Sequence, residues 1–204
     1  IEPADATNQN IIWSSSDENV ATVNDGTVTP LAAGTTTITA VTVDGGHTGT
    51  CIVTVLETVD IADILGLQQP IKDETPVATI TGNAQYTGTV SWNPGDNPFK
   101  EGVSYTATIT LTAKEGYTFN GVEEDFFTVE GATSVTNDAD TGIVTVVFPI
   151  AITDAEDLNQ IRNNLSADYI QMADITLTED WIPIGDDKNI FTGSFNGNDF
   201  TINK

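Results

Sequence analysis

The residues in this chain whose types and spacing come nearest to a metal site are Asn137-Asp138-Ala139-Asp140-Thr141-Gly142. Oxygen-bearing side chains alternate there and run up to a glycine, as they do in a calcium loop, and Asp138 and Asp140 would be the ligands. The run lacks the third alternating acid and the distal bidentate glutamate of such a loop. Flanked by Val135 and Ile143, the same six residues have a simpler reading as the polar tip of a hairpin. Calcium at Asp138 and Asp140 and a plain turn both stand at this point, and no other cofactor is expected.

Nucleophilic chemistry finds no support. His47, the only histidine, follows the turn Asp44-Gly45-Gly46, and no serine, cysteine or second histidine is spaced to complete a triad or a zinc site with it. Cys51, the only cysteine, can form no intrachain disulfide; it alternates with Val53 and Val55 and is expected to be a small buried hydrophobe. The chain of 204 residues carries 30 acidic residues against 6 basic ones. So many carboxylate pairs can be drawn that none singles out a general acid and base. A phosphate loop, a dinucleotide fingerprint and interleaved aromatic and basic residues are all missing from the sequence. The chain is therefore expected not to be an enzyme.

A formal charge of −24 makes nucleic acid and anionic membranes poor partners, and its self-repulsion favours a monomer. The same acidity keeps an extracellular protein soluble, and it could also hold calcium between modules. No stretch is long and apolar enough to span a membrane, so no membrane insertion is expected. The sequence opens at Ile1 with neither a methionine nor a signal peptide and reads as an excised piece.

The positioning elements are strands. Ile11 with Trp13, and Ala21 with Val23, share strand faces, and Asn24-Asp25-Gly26 supplies the positive-φ residues of a tight hairpin before Val28. Ile38, Ala40 and Thr42 lead through Asp44-Gly45-Gly46 into Cys51, Val53 and Val55, a second hairpin. Thr58–Leu67 has apolar residues among acids and reads as a helical turn or an entering strand; Gln68-Gln69-Pro70 stops a helix, which favours the strand. Tyr105, Ala107, Ile109 and Leu111 alternate with threonines, the mark of a strand with one buried face. Val90 with Trp92, Phe127 with Val129, and Val144, Val146 with Phe148 add further strands, with Trp13 and Trp92 expected in the core. Tyr117, after the corner at Glu115-Gly116, is placed to bond back to the chain.

From Ile152 the period changes. Thr153-Asp154-Ala155-Glu156 is a capping box, and Leu158, Ile161 and Leu165 follow at helical spacing, predicting one substantial helix over about Asp154–Leu165. Its apolar stripe, centred on Ile161, needs a surface to cover, with Trp181 and Phe191 buried nearby.

Trp13-Ser14-Ser15, Val20–Val23, Gly26–Thr29, Gly34–Ala40 and the closing Cys51–Val55 together resemble the bacterial immunoglobulin-like group two family. The resemblance implies a β-sandwich that serves as a spacer or binding module on bacterial surface proteins, with opening strands that would precede Ile1. The run Tyr105–Phe119, with its flanking strands, resembles a repeat of bacterial cell-surface proteins. Phe191-x-Gly193-x-Phe195-x-Gly197, closing in Phe200-x-Ile202, resembles the start of right-handed β-helix surface proteins, in which stacked coils continue.

The expected fold is therefore mainly β: two immunoglobulin-like β-sandwich modules in tandem, residues 1–57 and 58–150, then a cap helix and the first coil of a truncated β-helix over 151–204. By resemblance this is a non-catalytic stalk or adhesion segment of a large bacterial cell-surface protein. It would be extracellular, with a glycan or a protein surface as partner. The alternative is a set of ancillary modules on a secreted polysaccharide-active β-helix enzyme.

Overall fold

A computed structural model of the chain describes residues 8–204. The protein is mainly β, with one short α-helix, and divides into two compact units. The first runs through Val59 and takes in Lys114–Thr118; the second comprises Asp60–Ala113 and Phe119–Lys204.

In the first unit β1 (Ile11–Ser15), β4 (Gly34–Thr42) and β5 (Thr48–Val55) form an antiparallel sheet in the order β1-β4-β5. Its companion is the hairpin of β2 (Ala21–Asn24) and β3 (Thr27–Pro30). Asp25 and Gly26 turn that hairpin with φ of 46° and 77°, the two left-handed residues that a tight hairpin turn requires. A Cβ on Gly26 would come within 3.1 Å of the half-buried Trp13 ring, so strand and turn are fitted to each other. The serines after Trp13 tie β1 to β4, since the buried hydroxyl of Thr36 meets Ser15 Oγ at 2.8 Å and Ser16 Oγ at 3.2 Å and accepts the Asp17 N–H at 2.9 Å. The strand β6 (Glu57–Thr58) pairs in parallel with Tyr117–Thr118.

The second unit is built on an antiparallel sheet in which β7 (Tyr86–Asn93) and β8 (Thr106–Ala113) are followed, past β9 (Tyr117–Thr118), by β10 (Ser134–Asn137) and β11 (Ile143–Val147). Their order is β10-β11-β8-β7. Ala107, Ile109 and Leu111 are buried as alternation predicts, and the register sets Val90 and Val144 on either side of Ile109. Aromatic rings fill the layer above: Tyr86 meets Phe127 edge-on at 5.9 Å, and Trp92 meets Phe99 edge-on at 5.0 Å. The Trp92 indole N–H donates to Val77 O at 2.8 Å, so this ring belongs to the core and not to a ligand surface.

Two expected strands are replaced by pinned irregular chain. Beyond Thr58 the segment to Leu67 forms no continuous ladder, only the isolated bridges Asp63 with Thr128 and Leu65 with Thr81. Side chains supply the missing ladder: buried Gln85 accepts the N–H groups of Asp60 and Ile61 at 2.9 and 3.0 Å, and the Tyr86 hydroxyl reaches Ile61 O at 3.0 Å. Phe127 and Val129 are buried, but only Thr128 between them makes a bridge. Tyr117 is half-buried in β9, and the hydroxyls that bond onto the backbone are those of Tyr86, Tyr105 and Tyr169.

The last part of the chain is stacked in parallel. β12 (Ile150–Ile152) precedes α1 (Ala155–Gln160), which tightens into a 3₁₀ turn at Ile161–Asn163. Then follow β13 (Tyr169–Gln171), β14 (Ile175–Thr176), β15 (Phe195–Asn196) and β16 (Ile202–Asn203). The ladders β12-β13-β15 and β14-β16 are both parallel, which stacks Ile150, Tyr169 and Phe195 in one column and Ile175 with Ile202 in another.

The helix is shorter than its apolar spacing predicts, and its cap sits one residue later than the box suggests. Asp154, not Thr153, is the N-cap, accepting the N–H groups of Glu156 and Asp157 at 2.9 Å. Buried Asp157, not Glu156, reaches back to the N–H of Thr153 at 2.8 Å and to its hydroxyl at 2.6 Å. An aspartate caps at least as well as a threonine, and a short carboxylate three residues on closes the loop from a buried position.

Candidate functional site

The hairpin tip between β10 and β11 is organised by its own polar groups. Asn137 is buried; its Nδ2 donates to Glu123 O at 2.9 Å and its Oδ1 accepts the Phe127 N–H at 3.3 Å. Asp140 adopts φ of 61°, and its Oδ1 accepts the Gly121 N–H at 2.6 Å. Asp138 is exposed, and its carbonyl accepts the Thr141 hydroxyl at 3.0 Å. The structure thus brings Asp138 and Asp140 onto one turn and uses Asp140 to tie that turn to Gly121. Among the described residues no group of three or more His, Cys, Asp or Glu side chains converges as a metal cluster.

His47 lies exposed in the β4–β5 turn, where its backbone N–H donates to the Thr42 hydroxyl at 3.0 Å. Cys51 is exposed, contrary to the burial expected of it. It pairs with Ile38, which is buried on the middle strand, but β5 is an outer strand of the sheet.

Concave ground lies around α1. An apolar groove of about 430 Å³ is lined by Leu158, Ile161, Trp181, Phe191, Phe195 and Ile202 among others. It continues the buried cluster of Ile150, Ile152, Leu158, Ile161, Tyr169 and Ile175. Trp181 and Phe191 pack against that cluster as expected, half-buried. Its wall is held by paired carboxylate staples. Asp168 accepts the N–H and hydroxyl of Ser194 at 3.1 and 2.6 Å, and Asp174 does the same for Thr201 at 2.8 and 2.9 Å. Each acid stands immediately before one strand and each hydroxyl residue immediately before the strand stacked on it.

Thr201's backbone N–H, followed by its hydroxyl, holds the Asp174 carboxyl below the usual carboxylate range. A carboxyl so lowered contributes stability that is present above its unfolded pKa of roughly 3.9 and is lost as pH falls through the folded value. The amide signals of Thr201 and Ile202 are therefore expected to move together as pH is lowered below about 4. In Asp174→Asn that step should vanish; an unchanged acid profile would show that the staple does not carry it.

With this geometry in place, the family comparison concerns the first unit. Residues 1–53 match the bacterial Ig-like domain (group 2). That family is a non-catalytic, immunoglobulin-like one, typical of extracellular or surface proteins. A stretch of 47 residues is also 60% identical to part of an alpha-L-arabinofuranosidase of Bifidobacterium longum subsp. longum. The match covers 22% of this chain and 4% of that enzyme. No helix among the described residues is long and apolar enough to cross a membrane.

Sequence reasoning missed the staples and the Gln85–Tyr86 pins. Each joins residues far apart in the chain, and no local period marks them.

Proposed function

We propose that this chain is a non-catalytic stalk or adhesion segment of a larger bacterial cell-surface protein, whose immunoglobulin-like modules carry a β-helix that binds a glycan or a protein surface. The observation that carries the reading is the succession, in one chain, of a module matching a non-catalytic surface family and a parallel stack of coils. The stack supports a β-helix because two separate parallel ladders set successive turns of the chain over one another. Its outer strands β15 and β16 leave Phe195 and Ile202 exposed beside the apolar groove, the surface that a further coil would cover.

A second reading has one observation in its favour. The identity to part of an arabinofuranosidase fits ancillary modules on a polysaccharide-active enzyme. A glycan-depolymerisation screen separates the two: turnover by this segment would sink the first reading, and turnover confined to a longer protein containing it would support the second. Calcium at the Asp138–Asp140 turn would act on stability alone, by mass action on the folded form. A melting temperature that rises with calcium and falls back with chelator is the expected result; identical unfolding in both removes the ion.

A further inference from the structure

On the other side of Trp181 from the apolar groove's aliphatic lining lies a mixed cleft of about 440 Å³, between α1 and the segment after β14. We propose that this cleft binds a neutral saccharide. The proposal rests on the reading of the chain as a surface binding segment and locates a site within it, which a plain stalk does not require.

Residues 177–194 connect β14 to β15 without regular structure. That exceeds the length of about 12–15 residues beyond which an irregular connection in a compact unit is usually either functional or a linker. The segment is also held in place. Arg162 lies 5.1 Å from the centre of the Trp181 ring. Its Nε donates to Asn159 Oδ1 at 2.8 Å, one terminal nitrogen donates to Pro183 O at 2.8 Å, and the other donates to Ile182 O. Each guanidinium nitrogen thus has one protein partner, which holds the side chain beside the indole and the adjoining backbone.

What remains free on the walls is a set of neutral donors and charged acceptors. Asn159 Nδ2, the Thr178 hydroxyl and the carboxylates of Glu156 and Glu179 line the cleft, and none of them hydrogen-bonds another described residue. Sugar hydroxyls donate to the carboxylates and accept from the amide and the hydroxyl, while a C–H face of the ring rests on the indole. An anionic sugar would be repelled by Glu156, Glu179 and Asp180, which all line the cleft. A neutral polyol does not meet that penalty.

The test is a titration of the ¹⁵N-labelled chain with short cello-, xylo-, manno- and arabino-oligosaccharides. The indole N–H signal of Trp181 should shift with at least one of them, while those of Trp13 and Trp92 hold still. Loss of one hydrogen bond to a charged group corresponds to about tenfold in affinity, so Glu179→Gln and Asn159→Ala should each weaken binding by that factor. Glu179 is exposed and unpaired, so its variant keeps the test independent of Arg162 packing. No Trp181 shift with any sugar at about 10 mM, or shifts that both variants leave unaltered, would overturn the site. Such a failure leaves the stalk reading intact, whereas hydrolysis of a sugar during the titration would sink the stalk reading and keep the site.

Discussion

Gly193→Ala is expected to unfold the stacked coils, while Gly197→Ala leaves them standing. Both glycines belong to the run Phe191-x-Gly193-x-Phe195-x-Gly197, and a sequence pattern alone treats them alike. Their surroundings differ. A Cβ on Gly193 would lie 1.8 Å from the carbonyl oxygen of Ala167 and 2.7 Å from its carbon. The same stretch is drawn against that turn by Leu165 O, which accepts the N–H groups of Thr192 and Gly193 at 2.8 and 3.0 Å. Overpacking usually costs about 1–3 kcal/mol, and an overlap of backbone with backbone has no rotamer to relieve it, so the cost should lie at or above the top of that range. A Cβ on Gly197 meets nothing within 4 Å, and an unstrained glycine-to-alanine change tends to stabilise by about 0.4–1 kcal/mol through the unfolded chain. Chemical denaturation of the two variants checks this. A Gly193→Ala chain as stable as the parent would mean that the approach to Ala167 is not what the glycine is for.

How far the fold can be read from the residues follows from how local each determinant is. The β2–β3 hairpin and the β4–β5 pair declare themselves, because Asp25-Gly26 and Asp44-Gly45-Gly46 set the turns and the alternation sets the faces. The strand β8 is equally plain, with Ala107, Ile109 and Leu111 buried at every second position. Cys51 shows where such reading stops. Alternation says which face of β5 the thiol is on but not whether that face is covered, and at this outer strand Cys51 is exposed while its cross-strand partner Ile38 is buried. Thr58–Leu67 and Phe127–Val129 looked like strands because they are apolar and extended, yet past isolated bridges their backbone groups are met by the side chains of Gln85, Tyr86 and Asn137. The two-residue strands β14 to β16 are too short to give a period at all. Their order comes from Asp168 with Ser194 and Asp174 with Thr201, pairs separated by a whole coil. Asp138 and Asp140 lie on the turn between β10 and β11, and what the sequence pattern could not show was that Asp140 is bonded to Gly121.

Ile161→Ala should separate the coil from the sheet beside it. Ile161 is 1% exposed, in a cluster otherwise made of Ile150, Ile152, Leu158, Tyr169 and Ile175. Truncating a buried isoleucine to alanine costs about 2–5 kcal/mol, with the higher figures where the site cannot collapse. Here the walls are two parallel ladders and a capped helix, which leaves few side chains free to move in. Leu165 belongs to the same predicted stripe but is half-buried beyond the 3₁₀ turn, so Leu165→Ala should cost less. All the cluster's members and the hydrophobic residues packed on it come from residues 150–191, none from β7, β8 or β11. On that ground we propose that 151–204, although part of the same compact unit as the β7–β8–β11 sheet, unfolds as a cooperative element of its own. Hydrogen exchange on Ile161→Ala is therefore expected to show lost protection in β12 to β16 with β7, β8 and β11 still protected. If protection falls in the sheet by the same amount, the two fold as one unit, and the boundary near Ile150 has no energetic meaning.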